Sequence, residues 1–302
     1  MALTCPDGFF DRDLGGKVFL ITGATSGVGK ACAAKLVSLG GTVVVANRSG
    51  GAALVEELSK GAAKGGTVAN LELDLASLAS VRAFAATFKE TYSTLDVLMN
   101  NAAVMMPPCS KTVDGFELQM GTNHYGHFLL TLLLKDVLEK TPGSRVVCVA
   151  SAAACKCTMM CPSDPKIDYD DINWEVKKYE KDLAYGQSKL ANVLMAREIP
   201  KRFDGVKAYS LHPGWVQSKL MRHAIPFAFL QRVADFVFMN LLGSTGMIDV
   251  DAGSQTSLYC ALADDLEGGA FSASTIRKAA GRWRFRTRTT RRRRPRGCGT
   301  TA

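Results

Sequence analysis

The sequence has no uncharged apolar run of 20 residues, the approximate length that a membrane-spanning helix needs. We therefore expect no transmembrane span. The nearest approach is residues 224–242, which contain Pro226 and place Gln231, Arg232 and Asp235 on one helical face. That pattern predicts an amphipathic lid suited to peripheral contact with a membrane.

Histidine is sparse and cysteine is modest in number, with four histidines and nine cysteines in 302 residues. The cysteines form no pairing framework and no signal peptide is recognisable, so we expect an intracellular protein, either cytoplasmic or peripherally bound to a membrane. Cys155, Cys157 and Cys161 lie close together but lack the second cysteine or histidine pair of a zinc site. We predict no metal.

Acidic residues are missing from the end of the chain. Residues 277–302 contain ten arginines, one lysine and neither aspartate nor glutamate, so the net charge of +9 becomes −2 for the remainder. This shift predicts one folded domain over residues 1–276 and a basic, disordered tail over 277–302. Aromatic residues interleaved with the arginines are typical of polyanion binding. A non-native or frame-shifted ending is an alternative interpretation.

A glycine-rich stretch, residues 17–30 (KVFLITGATSGVGK), dominates the folded part. Its apolar start predicts a strand, Gly23, Gly27 and Gly29 predict a tight turn, and the following residues predict a helix. Backbone N–H groups in such a turn can approach a pyrophosphate closely, and the helix N-terminus adds its positive dipole end. Strand, glycine turn and helix in this order indicate dinucleotide binding.

The rest of the folded part alternates between apolar strands and helical patterns without an internal linker. We predict strands at about 18–22, 42–47, 67–73, 95–100, 144–150 and 206–212, a short seventh at 269–272, and helices at about 30–39, 51–63, 78–91, 115–139 and 184–202. Apolar strands separated by helices are typical of a parallel sheet covered on both faces. The predicted fold class is α/β, a single doubly wound Rossmann-type domain with six to seven parallel strands.

Six motifs in register resemble the short-chain dehydrogenase/reductase family, and in detail its retinol dehydrogenase-like branch. They are TGATSGVG at 22–29, NNAAV at 100–104, TNHYGHFLL at 122–130, Ser151, YGQSK at 185–189 and HPGWV at 212–216. The resemblance covers about residues 14–275. It implies an oxidoreductase that uses a nicotinamide cofactor.

The predicted catalytic residues are Ser151, Tyr185, Lys189 and Asn123. Tyr185 and Lys189 are four residues apart and so share one face of a helix. A phenol has an ordinary pKa of about 10, and a nearby cation stabilises its ionised form, which makes Tyr185 the candidate acid and base. Ser151 follows a strand and can hydrogen-bond a substrate oxygen. Asn123 resembles the family residue that supports a water linking the lysine to solvent.

For the cofactor, the end of the second strand is informative. Dinucleotide folds that prefer NAD carry a carboxylate there, whereas this chain has Asn47 followed by Arg48, which suits a 2′-phosphate. We therefore predict NADP(H). The resemblance adds further contacts to the cofactor; the predicted binding residues are Gly23, Thr25, Ser26, Gly27, Val28, Gly29, Asn47, Arg48, Asp74, Leu75, Asn101, Ala102, Ala103, Tyr185, Lys189, Pro213, Gly214 and Val216.

The predicted activity is NADP(H)-dependent interconversion of a carbonyl and an alcohol on a small apolar substrate, such as a retinal-like aldehyde or a steroid-like ketone. A homodimer is the predicted assembly. One alternative is a light-dependent enzyme resembling protochlorophyllide reductase, which shares the TNHYGHFLL block. An alternative of another class is a nucleotide-binding regulatory protein whose tail binds polyanions. The intact serine, tyrosine and lysine set argues against the last.

Overall fold

The structure is a computed structural model that describes residues 4–155, 165–216, 220, 248–264 and 266, and the backbone of three short strands beyond them. The predicted lid at 224–242 and the cysteines at 157 and 161 lie outside the described residues. Within the described part, no helix is both long and apolar enough to cross a bilayer.

Seven parallel strands form the central sheet, in the order β3-β2-β1-β4-β5-β6-β7. They are β1 (Val18–Thr22), β2 (Thr42–Asn47), β3 (Thr67–Glu72), β4 (Val97–Asn100), β5 (Arg145–Val149), β6 (Lys207–Leu211) and β7 (Phe271–Ser272). Each predicted strand is present, and the predicted fold class is confirmed. The order reverses between β1 and β4, and ligands of open α/β sheets bind beside such a switch point, at the carboxyl ends of the strands.

The helices are α1 (Gly27–Ser38), α2 (Gly51–Lys60), α3 (Leu78–Thr91), α4 (Leu118–Met120), α5 (Gly126–Leu133), α6 (Lys135–Lys140), α7 (Lys181–Arg202) and α8 (Val250–Leu262). The prediction of one helix over 115–139 was wrong in detail, because a π-helical turn, Gly121–Tyr125, separates α4 from α5. Leu134, with φ −97° and ψ 7°, separates α5 from α6. Helix α8 was not predicted.

Side chains of the sheet alternate between two apolar cores. Val43 and Val45 of β2 face the core that α1, α2 and α8 cover, while Val44 and Ala46 face the core under α3, α5 and α7. All five residues of β1 are buried, as expected for a central strand between two helix layers. Packing on both faces holds the carboxyl ends of the strands in a fixed arrangement.

Two further strands, β8 (Ile276–Ala279) and β9 (Arg282–Phe285), pair antiparallel with each other. They lie around the predicted boundary between the domain and the basic tail. Apart from these two strands, the tail predicted to be disordered over 277–302 lies outside the described residues. The domain boundary stays a prediction.

Candidate active site

A cavity of about 450 Å³ lies at the carboxyl ends of the strands. Every residue predicted for catalysis or cofactor binding lines it except Asn123. The cavity therefore joins the glycine turn after β1, the end of β2, the segment after β4, the start of the segment after β5, helix α7 and the segment after β6. Its volume is within the range of small-molecule and cofactor sites.

The glycine turn is closed too tightly for side chains. Gly23 has φ +68°, and a Cβ there would lie 2.8 Å from Ala102. A Cβ on Gly29 would lie 2.4 Å from the Asn101 Nδ2, which donates to the carbonyls of Thr22 and Gly23 at 2.8 and 3.1 Å. Asn101 thus ties the turn to the segment after β4.

Helix α1 begins at Gly27, in the wall of the cavity, and has no acidic residue in its first turn. The first N–H groups of a helix have no partner inside it, so this end of α1 suits an anion. The narrow glycine turn and the acid-free helix start together fit the pyrophosphate of a dinucleotide.

At the end of β2, Asn47 and Arg48 differ in what they contact. Asn47 is buried; its Oδ1 accepts from the Ala24 N–H at 2.8 Å, and its Nδ2 donates to Asn70 Oδ1 at 3.3 Å. Arg48 is exposed, lines the cavity and forms no ion pair with any described residue. Asn47 therefore braces the glycine turn, whereas the guanidinium of Arg48 is open to a ligand.

Tyr185 and Lys189 lie on one face of α7, as their spacing predicted, and their exposed fractions are 5% and 2%. Lys189 Nζ donates to the Val149 carbonyl at 2.9 Å and lies 5.7 Å from the centre of the Tyr185 ring. Burial without a carboxylate nearby lowers the pKa of Lys189 to about 8. A buried cation beside a phenol is the arrangement that lowers the cost of ionising that phenol.

Ser151 follows β5 and caps the 3-10 turn Ala152–Ala154. Its Oγ accepts from the Ala153 N–H at 3.2 Å. A hydroxyl that accepts in this way keeps its own proton to donate. Ser151 and Tyr185 line the same cavity.

Asn123 lies in the π-helical turn and is fully buried behind the cavity wall. Its Oδ1 accepts from the Val104 N–H at 2.8 Å, and its Nδ2 donates to the Val104 carbonyl at 2.9 Å and to Ser188 Oγ at 3.0 Å. Its backbone carbonyl lies 2.9 Å from Asn192 Nδ2 and 2.9 Å from His127 Nδ1. Asn123 thus joins three parts of the site through protein contacts.

His127 is buried between β1 and the π-helical turn. Its Nδ1 faces the Asn123 carbonyl, which only accepts, so Nδ1 carries the proton and Nε2 accepts from Thr22 Oγ1 at 2.8 Å. Burial lowers the pKa of His127 to about 3. Thr22 Oγ1 in turn accepts from the N–H groups of Asn101 and Ala102, so a neutral imidazole connects the end of β1 to the π-helical turn.

Sequence reasoning missed several cavity residues, among them His212, Met105, Met106, Thr122, Trp215 and Leu220. His212 Nδ1 is buried without a hydrogen-bond partner. Burial, and then the charge of Lys189, lowers the pKa of His212 to about 4. Its place before the Pro213-Gly214 motif was a signal for the site. Met105 and Met106 follow the NNAAV motif directly but belong to no motif of their own.

Comparison with known proteins agrees with this geometry. The family model for short chain dehydrogenase matches residues 17–162. Retinol dehydrogenase 12 of Homo sapiens is 43% identical over 84% of this chain and 76% of its own length. Retinol dehydrogenase 14 of Mus musculus is 42% identical over 84% of this chain and 75% of its own length.

A solved complex of Pseudomonas aeruginosa RhlG with NADP in its active site has the same fold. It has a TM-score of 0.65 and 22% identity over 88% of this chain and 96% of that one. On the match to the retinol dehydrogenases and to the family model, the chain belongs to the short-chain dehydrogenase family and is an oxidoreductase similar to the retinol dehydrogenases.

Proposed function

We propose that this protein is an NADP(H)-dependent reductase that interconverts a carbonyl and an alcohol on a small apolar substrate, a retinal-like aldehyde being one candidate. The observation that carries the proposal is the buried pair of Tyr185 and Lys189 in one cavity with Ser151, which the glycine turn also lines. The side chains suited to acid–base chemistry and the glycine turn suited to a dinucleotide thus line one cavity.

In this proposal Tyr185 gives its proton to the oxygen of the carbonyl, or takes it back from the alcohol. Ser151 donates a hydrogen bond to the same oxygen and stabilises the charge that develops on it. Lys189 holds the Tyr185 phenolate by its charge. A bound NADPH supplies the hydride.

The preference for NADP(H) over NAD(H) rests on Arg48. No carboxylate stands at the end of β2, and Asn47 is engaged with Ala24. The Arg48 guanidinium lines the cavity without an ion pair among the described residues, and it can pair with a 2′-phosphate. A charge-assisted contact of this kind contributes about 1.5–3 kcal/mol, or about tenfold to a hundredfold in affinity.

The apolar character of the substrate rests on four apolar side chains that line the cavity, Met105, Met106, Trp215 and Leu220. Contacts with a membrane or a polyanion stay predictions, since the predicted lid and most of the tail lie outside the described residues. The homodimer also stays a prediction. Light scattering on the purified protein tests the homodimer directly.

The test is NADPH consumption with a panel of aldehydes and ketones, in the dark and in light. We expect turnover in the dark, and turnover only in light would favour the protochlorophyllide reductase-like alternative. Tyr185→Phe should lower kcat by about 10²- to 10⁴-fold while NADPH still binds. Tyr169→Phe is the control, because Tyr169 is 80% exposed. Near-normal turnover by the Tyr185 variant would overturn the proposed role, and no turnover of any carbonyl would favour the regulatory alternative.

A further inference from the structure

Two consecutive methionines follow β4 and lie against the catalytic tyrosine. Met105 and Met106 are 8% and 7% exposed and form an apolar cluster with Ala153 and Tyr185, against which Leu220 packs. Both methionines also line the cavity. They are therefore buried in the fold and yet in the wall that a ligand beside Tyr185 would touch.

The backbone of Met106 is in the left-handed region, with φ +52°. A side chain with a Cβ is disfavoured there, and such conformations persist where the surrounding structure imposes them, often at binding sites. Lys64 and Trp174 are the other described non-glycine residues with positive φ. Neither of those lines the cavity.

The side chain of Gln119 is buried and is hydrogen-bonded to the backbone of Met106. Its Oε1 accepts from the Met106 N–H at 2.8 Å, and its Nε2 donates to the Lys181 carbonyl and to the Tyr179 hydroxyl, both at 2.9 Å. A backbone N–H only donates and a carbonyl only accepts, so the amide has a single possible orientation. Lys181 is the first residue of α7, the helix that carries Tyr185. Gln119 thereby connects Met106 to the start of that helix.

Asn123 ties the other end of the same segment. It forms two hydrogen bonds with the backbone of Val104 and a third with Ser188 of α7. Residues 104–106 are thus attached at both ends to the helix that carries Tyr185. The backbone of the two methionines has a fixed position relative to the phenol, while their unbranched side chains can still adapt.

We propose that Met105 and Met106 form a preset apolar wall that determines substrate specificity, and that Gln119 is the positioning residue that sets it. The inference rests on the proposed carbonyl reduction. The wall contacts the substrate group next to the carbonyl and selects by the width of that group. A charged group at that place would lose its hydration without gaining a partner among the methionine side chains.

The test uses Met106→Gly, because glycine adopts φ +52° without strain and so keeps the backbone while removing the side chain. Hexanal and 2-ethylbutanal are isomers that differ in width beside the carbonyl. We expect the ratio of kcat/KM for hexanal to that for 2-ethylbutanal to fall by about tenfold or more, since one methylene group in an apolar pocket is already worth 10- to 200-fold. The Kd of NADPH, from its fluorescence, should not change.

Gln119→Met keeps the length of the side chain and removes its hydrogen bonds. We expect this variant to raise the KM of hexanal more than it lowers kcat, and to move the selectivity ratio in the same direction as Met106→Gly. The double variant should show no further change in the ratio, because both substitutions act through the same side chain. Val113→Ala is the control on the neighbouring surface, where Val113 is 82% exposed.

An unchanged ratio in Met106→Gly, with turnover otherwise retained, would overturn the inference. Absence of turnover in the wild-type protein would instead overturn the proposed function. In that case binding of 1-hexanol and 2-ethyl-1-butanol, measured by calorimetry, still reports on the wall: equal selectivity in the wild type and in Met106→Gly would refute it, and a tenfold change in the ratio of the two Kd values would support it.

Discussion

Burial of Lys189 makes the stability of the protein without cofactor depend on pH in a specific way. The pKa of Lys189 is about 8 in the folded protein, against 10.5 for an exposed lysine. Between these two values the unfolded chain binds more protons than the folded chain at this position. The free energy of unfolding should therefore rise with pH, because the buried ammonium loses its charge and with it the cost of burial.

The magnitude follows from the two pKa values. Below about pH 8 the lysine is protonated in both states and contributes no slope. From about pH 7 to about pH 9.5 the contribution to the free energy of unfolding grows by about 2 kcal/mol. Lys189→Met removes this contribution. The hydrogen bond to the Val149 carbonyl is also lost, and that loss shifts the stability of the variant by a similar amount at every pH.

The assay is urea unfolding of wild type and Lys189→Met without cofactor, at several values between about pH 7 and about pH 9.5. The stability of wild type relative to the variant should increase by about 2 kcal/mol across this range. Lys60→Met, which removes an exposed lysine paired with Glu56, should follow wild type in parallel. Parallel curves for Lys189→Met as well would refute the argument that Lys189 is buried with a lowered pKa.

Three further predictions concern the cofactor, acid stability and the tail. Arg48→Ala should raise the Kd of NADPH about tenfold to a hundredfold and leave that of NADH nearly unchanged. Asn47→Asp together with Arg48→Ala should shift preference toward NADH, and equal use of both cofactors by wild type would contradict both expectations. Burial lowers the pKa of His127 to about 3, so the free energy of unfolding should fall as pH drops below about 6.5, where the imidazole of the unfolded chain protonates. His127→Gln should lessen that fall. The same pH dependence of stability in the variant and in wild type would contradict this expectation. Deletion of residues 286–302 should leave dark turnover and thermal unfolding unchanged, and loss of folding would place the segment in the core.

At the end of β2, the sequence predicted which residues line the cavity but not what they contact. The sequence alone shows that Asn47 stands where a carboxylate would favour NAD and that Arg48 follows it. Both residues line the cavity. The contacts of Asn47 with Ala24 and Asn70 were not readable, because Asn70 is 23 residues away on a neighbouring strand. These contacts make Arg48→Ala the cleaner test, since Asn47→Asp also places a carboxylate oxygen opposite Asn70 Oδ1.

The helix predicted over 115–139 is a second place where the sequence was not sufficient. Its apolar periodicity predicted one continuous helix, and the chain instead contains a π-helical turn at Asn123. In this turn Asn123 accepts from the Val104 N–H and donates to the Val104 carbonyl and to Ser188 Oγ, and both partners belong to other parts of the chain. Helical propensity is a local property, and here contacts across the fold outweigh it.

The sequence by itself determined the alternation of strands and helices as far as β6, the glycine turn and the pairing of Tyr185 with Lys189 on one helix face. Each of these depends on residues close together in the chain, where periodicity and steric limits on the backbone act directly. The tertiary structure alone decided the burial of Lys189, the neutral His127 between Thr22 and Asn123, and the methionine wall beside Tyr185. Those features arise where distant segments exclude water together, and burial, pKa and hydrogen-bond partners are properties of that shared packing.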